Sequence, residues 1–370
     1  MVQSLALAAT IAALLSMGIN AAVVKRWART LHLVQRDDLS AVQASHNKPT
    51  SRLGGLGVII GFGAASILLS YLTENIIPIL LLISVLPLFL TGLLEDMGKD
   101  QSPRRRLFAA AISAVFAIAL THTWIKETGL LWIDPALSIL PIAWGVTILW
   151  SAGVCNAFNL IDGVNGLAGF LGSSISVALG YIAWTAGDIL MAQIAIVLAA
   201  AIAGFLIFNW PWGRIFLGDA GAYSIGHLLV WISILIAWRN PNISYIALCL
   251  MFFWPVADTF LAMWRRSRQK KKMMHPDYLH AHQFIMRAIQ LRWKMTLALA
   301  NSVTTLVLAP FFLPPILTGV ILADRPNFSF LTWIVYGAVF FASYLIGIRW
   351  VRRQGWRKTR PIPAEYVSQK

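Results

Sequence analysis

Five carboxylates, Glu95, Asp96, Asp162, Asp219 and Asp258, sit where apolar stretches of this 370-residue chain end, on four separate connections. The chain holds only 15 Asp and Glu in all, and scattered acids would fall mainly in loops. Convergence on one cleft is the economical explanation, and a cleft of carboxylates needs a cation. The most concentrated stretch is SAGVCNAFNLIDGVNGLAGF, Ser151 to Phe170, a connection between two apolar runs. It carries Asn156, Asn159, Asp162 and Asn165, punctuated by Gly163, Gly166 and Gly169. Polar groups at a membrane boundary cost free energy unless they are satisfied or used. Asn159 and Asp162 are three apart, so at a helical end they share a face and could grip one ion or phosphate.

Three further stretches add to this set. In GLLEDMGKDQSPRRRL, Glu95 and Asp96 are followed by Lys99 and by Arg104, Arg105 and Arg106. Paired acids beside bases suit a divalent metal plus phosphates, although three arginines there also serve as a stop signal for membrane insertion. In FLGDAGAYSIG, Asp219 between Gly218 and Gly221 reads either as a helix cap or as an ion or phosphate site at a helix start. His227, two turns further on, reads as a packing residue. Asp258, in WPVADTFLAMWRR, is either a functional intramembrane acid or the internal partner of Arg265 or Arg266. The loop HPDYLHAHQFIMR then places His275, His280 and His282, three of the seven histidines, within eight residues. Imidazoles there could ligate a metal, but donation to phosphate or sugar oxygens fits a site built on Mg²⁺ better.

The elements that must position these residues are membrane spans. With 58% hydrophobic and 12% charged residues, the chain is excluded from the soluble globular class. Apolar stretches of about 17–25 residues, the length that crosses a bilayer core, recur along it. Eleven are expected, near 5–24, 53–73, 76–94, 107–125, 137–155, 166–186, 189–208, 220–238, 243–263, 295–322 and 329–348. The first reads as a span rather than a removed signal peptide, for want of a basic leader and a small-residue cleavage site. The predicted fold is an all-α polytopic membrane protein with the N-terminus outside and the C-terminus cytoplasmic. Residues 1–348 form one transmembrane catalytic domain in this reading, with the active site on cytoplasmic loops, and 349–370 form a basic cytoplasmic tail.

That orientation puts all of the 30 Lys and Arg on the cytoplasmic side except Lys126, Arg239 and Arg325. The net charge of +15 is therefore mostly topological, with anionic headgroups or substrates as partners and no nucleic acid. Asp37 and Asp38, and the run RRSRQKKK from Arg265, read as solvated loop. Cys155 and Cys249 lie in apolar segments and read as small buried hydrophobes. No internal repeat and no soluble domain is visible.

Taken in order, NAFNLIDGVNGLAG, FLGDAGAYSIG, the acid pair and the histidine loop resemble the polyprenyl-phosphate N-acetylhexosamine-1-phosphate transferases. That family includes the bacterial undecaprenyl-phosphate N-acetylglucosamine-1-phosphate transferases and the muramoyl-pentapeptide phosphotransferases. The resemblance covers about Arg36 to Arg287 and implies a Mg²⁺-dependent enzyme, with Mn²⁺ as a substitute. A UDP-sugar, carrying GlcNAc or a 6-deoxy-N-acetylhexosamine such as FucNAc or QuiNAc, would give its sugar 1-phosphate to undecaprenyl phosphate and release UMP. O-antigen or another polysaccharide would be initiated at the bacterial cytoplasmic membrane. Membrane lipids and a second copy of the chain are the other implied partners.

By position, Asp219 and Asn159 resemble the family's metal ligands. Asp96, Glu95 and Asp162 match its catalytic acids, with Asp96 orienting the lipid phosphate or stripping a residual proton. Asn156, His280, His282, Arg104, Arg105, Lys99 and Asp258 fall in its substrate-binding regions. Two departures matter. Glu95 stands where an Asp is usual, which favours Asp96 for any shared role. Ala281 interrupts the adjacent histidines of the pentapeptide transferases, which moves the reading away from peptidoglycan synthesis. That branch, a lipid transporter or flippase, and a lipid-pyrophosphate phosphatase are the alternatives. A transporter predicts ionisable residues near the bilayer midplane and matched broken helices; a phosphatase predicts a nucleophile arrangement that the sequence lacks.

Overall fold

The computed structural model describes residues 2–30, 50–268 and 280–353. The predicted candidates Asp37, Asp38 and His275, and most of the basic tail, lie outside the described residues. Those described form fourteen helices and no strand. In order they are α1 (Val2–Thr30), α2 (Gly54–Thr73), α3 (Ile77–Asp96), α4 (Pro103–Thr121), α5 (Asp134–Leu137), α6 (Leu140–Ile161) and α7 (Leu167–Thr185). There follow α8 (Ile189–Asn209), α9 (Gly218–Arg239), α10 (Tyr245–Leu250), α11 (Phe253–Arg268), α12 (Ala281–Trp293), α13 (Leu297–Ile321) and α14 (Pro326–Arg353).

Nine of these helices are long and apolar enough to cross a membrane: α1, α2, α3, α6, α7, α8, α9, α13 and α14. The chain is a multi-pass membrane protein. The other two expected spans take different forms. The fourth exists as α4 but begins four residues earlier than expected, at Pro103, because Ser102 caps it by accepting the Arg105 N–H at 3.3 Å. The ninth is not continuous: 243–263 divides into α10 and α11 around Met251 and Phe252. Pro255 then falls in the first turn of α11, where its missing N–H costs nothing; inside an unbroken helix it would interrupt the ladder. The last helix runs to Arg353, past the expected domain boundary at 348. Asn156–Ile161, expected beyond the fifth span at 137–155, is the last part of α6.

α9 is the axis of the fold. Of its apolar stretch 94% is buried, against 22% for α1 and 11% for α14, and α2, α3, α6 and α7 pack around it. Between helices in lipid the hydrophobic effect gives little drive, so close approach of small residues does the work. Gly92 shows this: a Cβ there would lie 2.5 Å from the Ala220 backbone nitrogen. The strap before α2 is laced to the chain before α9, with Gly54 N to Phe216 O at 2.9 Å, Gly55 N to Leu217 O at 2.8 Å and Phe216 N to Ser51 O at 2.8 Å. Pro87 opens the ladder of α3, and the Leu88 N–H is taken up by Ser113 Oγ of α4 at 3.1 Å, which registers these two helices. The C-terminal ends of α3 and α6 thereby meet the N-terminal ends of α4 and α9.

Gly92→Ala tests this arrangement. The added methyl must push α3 off α9, at a cost of about 1–3 kcal/mol for overpacking, and it carries Asp96 with it. We expect a lower unfolding temperature in detergent and a fall in turnover of about tenfold, equivalent to ~1.4 kcal/mol on the barrier. Unchanged values of both would contradict the packing described.

Candidate active site

The start of α9 is where the acids gather. Gly218 adopts φ +74°, and a Cβ there would lie 2.6 Å from Asp96 Oδ2 and 2.0 Å from the Arg52 carbonyl oxygen. Only glycine allows that backbone to pass so close. The freed N–H groups of this first turn are then all given to carboxylates. Gly218 N donates to Asp162 Oδ2 at 3.0 Å, Asp219 N to Asp96 Oδ1 at 2.9 Å and Ala220 N to Asp96 Oδ2 at 2.8 Å. Asp96, on the last turn of α3, thus clamps the helix start with both oxygens. The N–H groups of this helix start, which the sequence left open between a cap and an ion or phosphate site, are taken by Asp96 and Asp162.

Asp219 points the other way and meets Arg106, whose Nη1 lies 2.7 Å from Asp219 Oδ2 and 3.7 Å from Glu95 Oε1. Glu95 also closes the following turn by accepting the Gln101 N–H. Asn159 lies on the last turn of α6, with Tyr223 of α9 beside it, also within interaction range of Asp219 and Arg106. Asn156, one turn earlier, donates from Nδ2 to Ala152 O of its own helix at 2.7 Å. Asn165 serves structure: its N–H donates to Asn301 Oδ1 at 2.6 Å and its carbonyl accepts from Thr305 Oγ1 at 2.6 Å, fixing the turn to α13.

The structure therefore brings together Glu95, Asp96, Asn159, Asp162 and Asp219. It does not bring Lys99, Arg104 or Arg105 to them; all three are exposed, and Arg106 takes the place given to Arg104 and Arg105. Arg52, within electrostatic range of Asp96 and Asp162, and Tyr223 belong to the site and were not singled out in the sequence. Arg52 stands two residues before Gly54 in RLGGLG, and Tyr223 lies one turn beyond Asp219, which are the signals that could have found them. His227 is buried in packing, with Nε2 3.0 Å from Ser84 Oγ. Cys155 and Cys249 are buried free thiols.

Asp258 lies apart from this cluster's carboxylates and is turned into the protein. Its partners are not the arginines: Ala281 N donates to its Oδ1 at 2.8 Å, and His282 Nδ1 lies 2.7 Å from its Oδ2. Arg265 instead donates to the Tyr344 hydroxyl at 3.0 Å. His282 comes near the turn that follows Asp162, since a Cβ at Gly163 would lie 4.0 Å from its Nε2. A cavity of about 520 Å³ exists at the opposite end of α9, among Trp124, Lys126, Trp238, Tyr245 and Asp324, and contains none of these residues.

Electrostatics test whether a divalent cation fits. Four carboxyls, Glu95, Asp96, Asp162 and Asp219, face two guanidiniums, Arg52 and Arg106. Burial pushes the Asp162 carboxyl well above the usual carboxylate range; Asp96 and Asp219 add to this, while the Gly218 N–H and Arg52 oppose it. A site in which burial and neighbouring acids push a carboxyl up in this way is short of positive charge. The donors near it are oxygens, which suits a hard cation, and Asp219 with the Asn159 amide oxygen offers the few protein ligands that Mg²⁺ takes when phosphates supply the rest.

A sequence model described as glycosyl transferase family 4 matches residues 78–237. That span contains Glu95, Asp96, Arg106, Asn159, Asp162 and Asp219, so it covers the whole clamp on α9. Over this stretch, 160 of its 370 residues, the chain is similar to glycosyl transferase family 4. Among similar proteins, the chain is 27% identical over 279 residues to the probable undecaprenyl-phosphate N-acetylglucosaminyl 1-phosphate transferase of Bacillus subtilis, covering 75% of this chain and 76% of that protein. It is 29% identical over 278 residues to the decaprenyl-phosphate N-acetylglucosaminephosphotransferase of Mycolicibacterium smegmatis, covering 65% and 66%. It is 28% identical over 245 residues to the undecaprenyl-phosphate alpha-N-acetylglucosaminyl 1-phosphate transferase of Salmonella typhi, covering 64% and 65%.

The three adjacent arginines at the start of α4 separate cleanly in a mutational test. Arg106→Ala lowers kcat/KM by about 10²-fold, the usual cost of removing one charged donor from a site that stabilises anions. Arg104→Ala and Arg105→Ala stay within about twofold, as expected of exposed positions. Equal losses at all three would contradict the placement of Arg106.

Proposed function

We propose that this transferase moves an N-acetylhexosamine 1-phosphate from a UDP-sugar to undecaprenyl phosphate, as the first step of O-antigen or another envelope polysaccharide. The observation that carries the reading is the carboxylate clamp at the start of α9, with Arg106 on Asp219 and Asn159 beside it. The names of the relatives support a polyprenyl phosphate acceptor and GlcNAc as the sugar. GlcNAc is the first choice, with FucNAc- and QuiNAc-type donors next.

In this reading an oxygen of the lipid phosphate attacks the β-phosphorus of the UDP-sugar. The bond from that phosphorus to the bridging oxygen breaks, UMP leaves with the α-phosphate, and a lipid-linked pyrophosphoryl sugar forms. A lipid phosphate is largely ionised near neutral pH, so positioning and charge neutralisation do most of the catalysis. Asp219 and Asn159 would hold a Mg²⁺ ion, which would supply charge neutralisation at the pyrophosphate. Arg106 screens phosphate oxygens, Asp96 keeps the α9 start and hence Asp219 in register, and Asp162 fixes the turn after α6.

The same reading takes α4 and the α10–α11 pair as the tenth and eleventh spans. The N-terminus lies outside, and the acid cluster and C-terminal tail lie on the cytoplasmic side of the bacterial inner membrane, where UDP-sugars are made. The acids gather at one end of the helices, which supports transfer at a membrane face over a coupled transporter with midplane acids. Purified protein mixed with undecaprenyl phosphate, MgCl₂ and a panel of UDP-sugars tests the proposal. We expect UMP from at least one UDP-N-acetylhexosamine; none from any of them would sink it.

A further inference from the structure

Asp258 is 1% exposed and spends both oxygens on the start of α12: Oδ1 on the Ala281 N–H at 2.8 Å, Oδ2 at 2.7 Å from His282 Nδ1. His282 is itself fully buried. An imidazole that donates from Nδ1 to a carboxylate has its tautomer and ring orientation set, and presents Nε2 on its other edge. That edge faces the turn after Asp162, because a Cβ at Gly163 would lie 4.0 Å from His282 Nε2. His280 stacks on His282 with ring centroids 5.4 Å apart. His282 Nε2 and His280 Nε2 have no hydrogen-bond partner although they are buried, while His280 Nδ1 lies 3.6 Å from Asp258 Oδ1. Buried polar atoms are almost always satisfied, so orphaned ones beside a cluster of catalytic character point to a ligand.

We propose that Asp258 is a positioning residue that holds His282 with Nε2 turned to the Asp162–Gly163 turn, where that nitrogen meets the sugar-phosphate edge of the donor. Asp258 touches no substrate and acts on transfer only through His282. The inference rests on the proposed sugar-phosphate transfer at this site. One competing use of the same atoms exists, since ligand atoms of Asp258, His280 and His282 lie within 4.8 Å of one another and could hold a transition metal.

The test uses the full-length protein in detergent with the UMP-release assay. Asp258→Asn and His282→Gln each lower kcat/KM by about 10–100-fold, the usual effect of losing a supporting or contacting group of this kind. The double variant falls no more than about twofold below the worse single, because the two residues act as one unit. Asp258→Asn also lowers the unfolding temperature, because the amide leaves one of its two buried contacts without an acceptor. His282→Gln, whose amide reaches the Nε2 position, keeps about tenfold more activity than His282→Asn, whose amide stops near Nδ1; this is the worth of one hydrogen bond. That pair carries the test even where Asp258→Asn does not fold. Multiplying losses, a reversed order of Gln and Asn, or a stoichiometric transition metal in the wild type that is lost from Asp258→Asn would each overturn the proposal. Failure of the transfer reading itself shows differently, as no UMP from the wild-type protein.

Discussion

Asp219→Ala lowers turnover by about 10³-fold, on the order of 4 kcal/mol of transition-state stabilisation. Asp219 is the one carboxylate of the cluster that no backbone N–H is shown to engage; it meets the long side chain of Arg106 at 2.7 Å. It is therefore the group free to turn to a cation when substrate phosphates draw Arg106 away. Asp219→Asn, which keeps the shape and removes the charge, raises the Mg²⁺ concentration for half-maximal activity by at least about tenfold, since one charge-assisted ligand is lost. Removing divalent cations from the wild type with EDTA lowers its rate to the level of Asp219→Ala. Turnover of Asp219→Ala close to wild type, measured over a Mg²⁺ titration, contradicts this assignment.

Asp96→Asn lowers kcat by about 10²-fold or more, through geometry rather than proton transfer. Both carboxylate oxygens accept N–H groups of α9, and an amide in their place sets its NH₂ against one of these donors. An unmade bond in a buried place costs about 1–3 kcal/mol, and the misplaced helix start moves Asp219 as well. Such a loss is uniform, so the pH–rate profile of Asp96→Asn runs parallel to that of the wild type. Loss confined to one limb of the profile contradicts the clamp and restores the role in stripping a proton from the lipid phosphate. The sequence suggested that role because the acid pair stands where an attacking group might be met; it could not show that both oxygens are already engaged.

The acids themselves were legible in the sequence. A carboxylate at the end of an apolar span is costly enough to stand out, and four of the five so placed do converge on one helix start. The fifth, Asp258, was legible as unusual but not in what it does, because its partners lie 23 and 24 residues further along. Arg104, Arg105 and Arg106 could not be told apart for a different reason. Successive helical residues point about 100° apart, so only one of three meets α3 and α9, and which one depends on where Ser102 starts the helix. Asn156, Asn159 and Asn165 looked alike in composition, yet one back-bonds its own helix, one faces the cluster and one ties the turn to α13. The broken ninth span had its signal in Pro255, which hydropathy alone passes over.

The central claim is that the cluster on α9 breaks the bond between the two phosphates of a UDP-sugar. Labelling the donor separately at its α- and β-phosphate and following both labels in the purified protein with undecaprenyl phosphate and Mg²⁺ tests it most directly. The account predicts that the β-label appears in the lipid and the α-label in UMP, in equal amounts, and that Asp219→Ala abolishes both. Release of both labels together as UDP, with the lipid unlabelled at its β-phosphate, would contradict it.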